Sequence, residues 1–180
     1  GRMRPHKGSI SIVGFNDKPR KAFRHSAIAL LDEVDEIEQS VRVRDLITET
    51  RRWNSSWYKL IRRANSGDLD RMCGPLFGDL PLPPLHEFVD RLPELQIVML
   101  RLAIANAMRP PLLVIGGIDD MSSDNDRAFV YERRSQLGDK QPVVIADENA
   151  RSPIPGCREI IPLPYLTTGG VAPASGEEWR

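Results

Sequence analysis

The carboxylates that could do chemistry in this chain follow apolar runs of strand length. Asp32-Glu33 ends the run 27 to 31, and Asp147-Glu148 ends Pro142-Val143-Val144-Ile145-Ala146. Acidic groups at such ends are what an α/β core that hydrolyses a nucleotide uses to hold Mg²⁺ and activate water. The run Leu112-Leu113-Val114-Ile115 breaks the pattern, because it stops at Gly116-Gly117, where those carboxylates belong. Asp119 and Asp120 come three and four residues past Gly116, about 10 Å or more away in extended chain. Mg²⁺ holds its oxygens at about 2.1 Å, so Asp119 and Asp120 become its ligands only if the loop folds tightly back. The scaffold for nucleotide chemistry is expected, and the chemistry itself is not.

The elements that must position these residues read as strands separated by helices. Residues 9 to 14 and 27 to 31 are strand candidates, and Asp32 to Glu38 is a solvated acidic loop. Leu46, Ile47, Trp53, Trp57, Leu60 and Ile61 recur at helical spacings, so residues 43 to 64 read as one or two amphipathic helices. Trp53 and Trp57 read first as core of that unit, with anchors of a partner groove as the other reading. Gly74 to Pro84 holds four prolines and two glycines and reads as a connector without regular structure. Helices are expected over 85 to 92 and 95 to 108, then a strand over 112 to 115. Asp124 or Asp126 is the expected cap of a helix through about Gln136. Strands follow at 142 to 146 and at Arg158 to Leu163. The fold class is therefore α/β, a RecA-like, mostly parallel sheet with flanking helices and an inserted helical subdomain. Residues 1–40 and 101–165 form the core, 41–100 the subdomain and 166–180 an irregular tail.

Composition narrows the function classes. Lys plus Arg equals Asp plus Glu at 25 each, so no summed charge draws the chain to nucleic acid, and none is expected as partner. The pairs Arg51-Arg52, Arg62-Arg63 and Arg133-Arg134 read as solvated helix faces. Cys73 and Cys157 have no Cys-x-x-Cys spacing and His6, His25 and His86 form no ligand pair, so neither a structural metal nor a disulfide is expected. No apolar run approaches the roughly 20 residues of a membrane span. A cytoplasmic chain is expected, membrane-associated only through a partner.

Four blocks in order resemble the ATP-binding cassette (ABC) ATPases, over about residues 1 to 163. Gly1 to Ile10 is similar to the family's A-G-L-x-x-P-x-x-G-x-I segment after the phosphate-binding helix. Ile28 to Ile47 is similar to its strand, Q-loop and T-V-R-E-x-L helix start, with Val43-Arg44-Asp45 at the matching place. Arg101 to Ile115 resembles the helix after the signature motif and the Walker B strand, and Val143 to Glu148 the strand and H-loop.

The resemblance implies cofactor positions that this sequence does not fill. The Q-loop glutamine falls on Glu33, the L-S-G-G-Q signature near Glu94 to Val98, the Walker B Asp-Glu pair on Gly116 and Gly117, and the H-loop histidine on Asp147. A carboxylate at 147 would face a terminal phosphate with like charge, costing about 1–4 kcal/mol at about 4 Å. The phosphate loop G-x-x-x-x-G-K-[S/T] occurs nowhere in the chain, so no cofactor is expected, with ATP and Mg²⁺ entering only if such a loop lies upstream of Gly1. No catalytic residue and no metal ligand is assigned. The implied function is a degenerate ABC-transporter ATP-binding-like domain, an interaction or regulatory module that does not hydrolyse ATP alone. The alternative is the C-terminal portion of a working ABC-type ATPase. Implied partners are a membrane transport-type protein or a second ABC-like subunit, a homodimer being a further option. They dock in a groove lined by Glu33, Trp53 and Trp57.

Overall fold

The strands that carry the site are short and apolar enough to be buried, and they assemble as a parallel sheet. The computed structural model describes residues 11–12, 14–16, 19–31, 37–38, 40–118, 121–146 and 157–161. A hairpin of β1 (Ser11–Ile12) and β2 (Phe15–Asn16) leads to the short helix α1 (Pro19–Arg24). Next comes β3 (Ser26–Ala29), which pairs in parallel with β4 (Leu112–Ile115), and β4 with β5 (Val143–Ile145), in the order β3-β4-β5. The register sets Ala29 beside Ile115 and Ile115 beside Ile145. Parallel neighbours need crossovers. The first contains the helices α2 (Val43–Trp53), α3 (Ser66–Phe77) and α4 (Glu94–Ala105), and the second is α5 (Asp124–Gly138).

One core joins these layers. Ala29, Leu113 and Ile115 from the sheet meet Met99, Leu100, Leu102 and Ala103 of α4, and the same cluster continues through Val43 and Ile47 of α2 into Leu69, Cys73, Leu76 and Phe77 of α3. Apolar residues at 69, 73, 76 and 77 make one face of a helix, which explains why α3 forms where a connector was expected. Asn65 starts it with a reciprocal capping box: its side chain accepts from Asp68 N, and Asp68 accepts from Asn65 N. Pro75 lies in the last turn, where its missing N–H leaves one carbonyl of the ladder unpaired rather than breaking the helix. Gly78 then ends α3 in the left-handed region, with its N–H on Gly74 O at 3.0 Å.

Several expectations are corrected. The helix expected over 43 to 64 stops at Trp53, and 54 to 64 are turns and irregular chain, because Asn54, Ser55 and Ser56 are poor helix residues. Residues 85 to 92 form only a 3₁₀ turn, Val89–Arg91. Their backbone is committed elsewhere: Val43 N donates to Glu87 O and Val89 N to Val41 O, each at 3.0 Å. Ser123, not Asp124 or Asp126, caps α5, its side chain accepting from Asp126 N at 3.3 Å. Arg134 is no solvated residue, being buried with its guanidinium 4.8 Å from the centre of the Tyr131 ring. Arg133 stacks on Phe129 at 4.9 Å and covers Gly78, where a Cβ would stand 2.6 Å from Nη2. Residues 158 to 161 of the last expected strand form none. The segments 1–10 and 166–180 lie outside the described residues.

Candidate functional site

The strand ends come first, since β3, β4 and β5 run parallel and deliver their C-terminal ends to one edge of the sheet. Gly116 N donates to Ala29 O at 3.0 Å and Ala146 N to Ile115 O at 2.8 Å, so the pairing continues to the last strand residue. Just beyond it, Leu30 takes φ 59°, a left-handed conformation that costs a non-glycine residue about 1–2 kcal/mol. The turn aims the Leu30 carbonyl at Gly116 and Gly117. A Cβ on Gly116 would stand 3.2 Å from that oxygen and 3.3 Å from Leu31 Cδ1, and one on Gly117 (φ 52°) would overlap the oxygen outright. Backbone therefore occupies the space a side chain at 117 would need.

Of the other positions set out from the sequence, Glu33, Asp119, Asp120 and Asp147 lie outside the described residues. The residues at the signature position serve the fold. Glu94, in the first turn of α4, accepts from Ser122 N at 3.2 Å, and Gln96 Nε2 donates to Pro81 O at 3.1 Å. Among the described residues no group of three or more His, Cys, Asp or Glu could hold a metal ion. Burial pushes the Cys73 thiol up to about 12, which makes it inert as a nucleophile. Cys157 is exposed, and both cysteines are free.

A second arrangement surrounds α2. Asp45, Thr48, Glu49, Arg52 and Trp53 fall on one face of that helix at helical spacing, and with Arg63 they line a groove of about 480 Å³. Trp53 stands at its end, Nε1 donating to Glu49 Oε1 at 3.3 Å. Trp53 is 81% and Trp57 96% exposed, so neither tryptophan is core. Trp57 is not among the groove's lining residues. Beside it, Arg51, Arg62, Arg63, Asn65, Asp68 and Arg71 surround a second hollow of about 400 Å³, in which Asp68 pairs with Arg51 at 3.0 Å and Arg71 at 3.4 Å. Sequence reading missed Arg52, Arg63 and the α2 carboxylates as groove residues. Their 45, 48, 49, 52 spacing was the available signal.

No family profile matches this sequence, and no curated protein matches it. Among solved structures, the ATP-binding subunit of an ABC transporter aligns with a TM-score of 0.53 and 21% identity, over 81% of this chain. The match spans 58% of that chain. The likeness is one of fold alone, an α/β arrangement with a parallel sheet shared with that subunit. No helix among the described residues is long and apolar enough to cross a membrane.

Proposed function

We propose that this chain is a degenerate ABC ATP-binding-like domain that serves as an interaction or regulatory module for a membrane transport-type protein, and that it does not hydrolyse ATP alone. The observation that carries this reading is the end of β4. Leu30 O fills the space beside Gly117, and position 116 admits a side chain only by displacing Leu30 or Leu31. Hydrolysis would need carboxylates at that point for Mg²⁺ and water. The parallel sheet and the ABC-type fold support the scaffold half of the proposal. In this reading residues 1–180 by themselves hold neither ATP nor Mg²⁺, since no phosphate loop occurs among them. On the same reading, the stretch carrying α2 and α3 acts as a helical subdomain beside the sheet, with α4, whose Leu100 and Leu102 share the common core, joining the two.

The partner, or a second ABC-like subunit, docks over the α2 groove, with Trp53 as its aromatic anchor. An amphipathic segment laid in a groove needs apolar anchors and complementary charges, not nucleotide chemistry. Asp45 and Glu49 opposite Arg52 and Arg63 supply both signs. The test replaces Trp53 with a photo-cross-linking benzoylphenylalanine and irradiates cells or native membranes. Adducts to a transport-type membrane protein support the reading, while adducts only to unrelated soluble proteins, or none, sink it. A second reading makes this chain the C-terminal portion of a working ABC-type ATPase, favoured by the solved neighbour's extending well beyond the matched stretch. The sequence upstream of Gly1 separates the two: a G-x-x-x-x-G-K-[S/T] there supports the second reading.

A further inference from the structure

The three most exposed large hydrophobic residues of the described chain lie within eight positions of one another: Trp57 at 96%, Leu60 at 95% and Trp53 at 81%, with Tyr58 at 70% among them. They belong to Arg-Arg-Trp-Asn-Ser-Ser-Trp-Tyr-Lys-Leu-Ile-Arg-Arg, residues 51 to 63, which holds five cations and no acid in a chain of zero net charge. We propose that this segment is a membrane-docking loop that inserts Trp57, Tyr58 and Leu60 into the headgroup region of an anionic bilayer, with Lys59 and Arg62 on its phosphates. The inference is independent of the partner reading, since the bilayer alone is the ligand.

The segment is held out rather than loosely draped. At its base Arg51 Nη1 donates to Arg62 O at 3.2 Å and Thr48 Oγ1 accepts from Ala64 N at 2.9 Å, so α2 clamps both ends. Between them turns form, with Ser55 N on Arg52 O and Lys59 N on Ser56 O. Trp57 and Tyr58 meet edge to face at a 6.0 Å centroid separation and leave most of their surface exposed. Chain held by turns leaves backbone groups that need water, which suits headgroup depth and not the hydrocarbon interior. Trp and Tyr concentrate at that depth because their rings are apolar and their N–H and O–H are polar.

Charge selects the anionic surface. Nearby acids are Asp68, paired with Arg51, and Asp45 and Glu49, which face Arg52 and Arg63 in the groove. Lys59 and Arg62 have no carboxylate partner among the described residues, and both are exposed. Each cation near such a surface contributes about a fivefold factor in partitioning.

The experiment is co-sedimentation of the whole chain with phosphatidylcholine vesicles containing about one-third phosphatidylserine, against phosphatidylcholine alone. Fluorescence is read from Trp57 in a Trp53→Phe, Trp179→Phe background. Binding to the anionic vesicles with a blue-shifted Trp57 emission is expected. It should weaken by about 25-fold with Lys59→Ala plus Arg62→Ala and by about tenfold with Trp57→Ala plus Leu60→Ala, at unchanged circular dichroism. It should also fall as salt rises from about 0.1 M toward 1 M. No binding, equal binding to neutral vesicles, or insensitivity to both pairs overturns the proposal. So does a blue shift elicited by soluble polyglutamate but not by vesicles, which would assign the surface to an acidic protein segment.

Discussion

The carbonyl oxygen of Leu30 stands inside the 3.0 Å closest approach of the point where Gly117 would carry a Cβ. Two left-handed residues from neighbouring parallel strands, Leu30 at φ 59° and Gly117 at φ 52°, thus lock the strand exits together. Gly117→Ala must strain φ and move Leu30. It should lower stability by about 2–4 kcal/mol, read as a fall in urea midpoint at constant m. A neutral Ala would mean the two backbones are not in contact.

Placing acids at the end of β4 should not confer nucleotide hydrolysis. Gly116→Asp with Gly117→Glu is expected to be less stable than the parent and to release no phosphate from Mg-ATP above background. Activity from this double variant would show that the scaffold lacks only its carboxylates.

The α3 capping box gives a smaller, cleaner effect. Asn65→Ala removes the acceptor for Asp68 N and should cost about 1 kcal/mol, while Asn65→Gly should cost only a few tenths. A loss below a few tenths for Ala would say that α3 draws its stability from packing alone.

Both tryptophans should be dispensable for folding. Trp53→Ala and Trp57→Ala remove exposed rings and should each change stability by no more than about 0.5 kcal/mol. Arg133→Ala, which uncovers Gly78 and frees Phe129 from its stacking partner, should cost more than either. The reverse order would return the tryptophans to the core.

Cys73 makes stability depend on pH at the alkaline end. Its thiol is held neutral by burial, up to about 12 in the fold against an ordinary 9.0. Its contribution is therefore intact below about pH 9 and is lost as pH rises from there toward 12, at about 1.4 kcal/mol per pH unit. Unfolding of wild type and Cys73→Ala across that range should differ by this slope. In native protein a thiol reagent should modify Cys157 and not Cys73.

Much of the sheet was legible because its strands are continuous apolar runs. Leu112 to Ile115 was expected and found to the residue, and α2 starts at Val43 as its sequence block suggested. What failed was non-local or positional. Gly74 and Pro75 counted as breakers, yet a proline in a last turn is tolerated, and the Asn65 and Asp68 pair was the readable sign of α3. Trp57, Leu60 and Ile61 kept helical spacing across Asn54-Ser55-Ser56, where the chain turns instead. The pairing of 41–43 with 87–89 spans too much sequence for periodicity to reveal. At the site, the two glycines that end the run 112–115 were legible. That Leu30 closes the same space from the neighbouring strand was not, because nothing local marks a leucine for a left-handed turn.

The most direct measurement is the melting temperature of the wild-type chain with and without millimolar Mg-ATP. A ligand at about a hundredfold excess over its Kd would add about 2.7 kcal/mol, a rise of about 5–10 °C for a domain of this size. The melt is expected to be unchanged within error, with ATP and with ADP alike. A nucleotide-dependent rise, lost when Asp119 and Asp120 are changed to Ala, would contradict the account by showing that these neighbours hold the metal that Gly116 and Gly117 cannot.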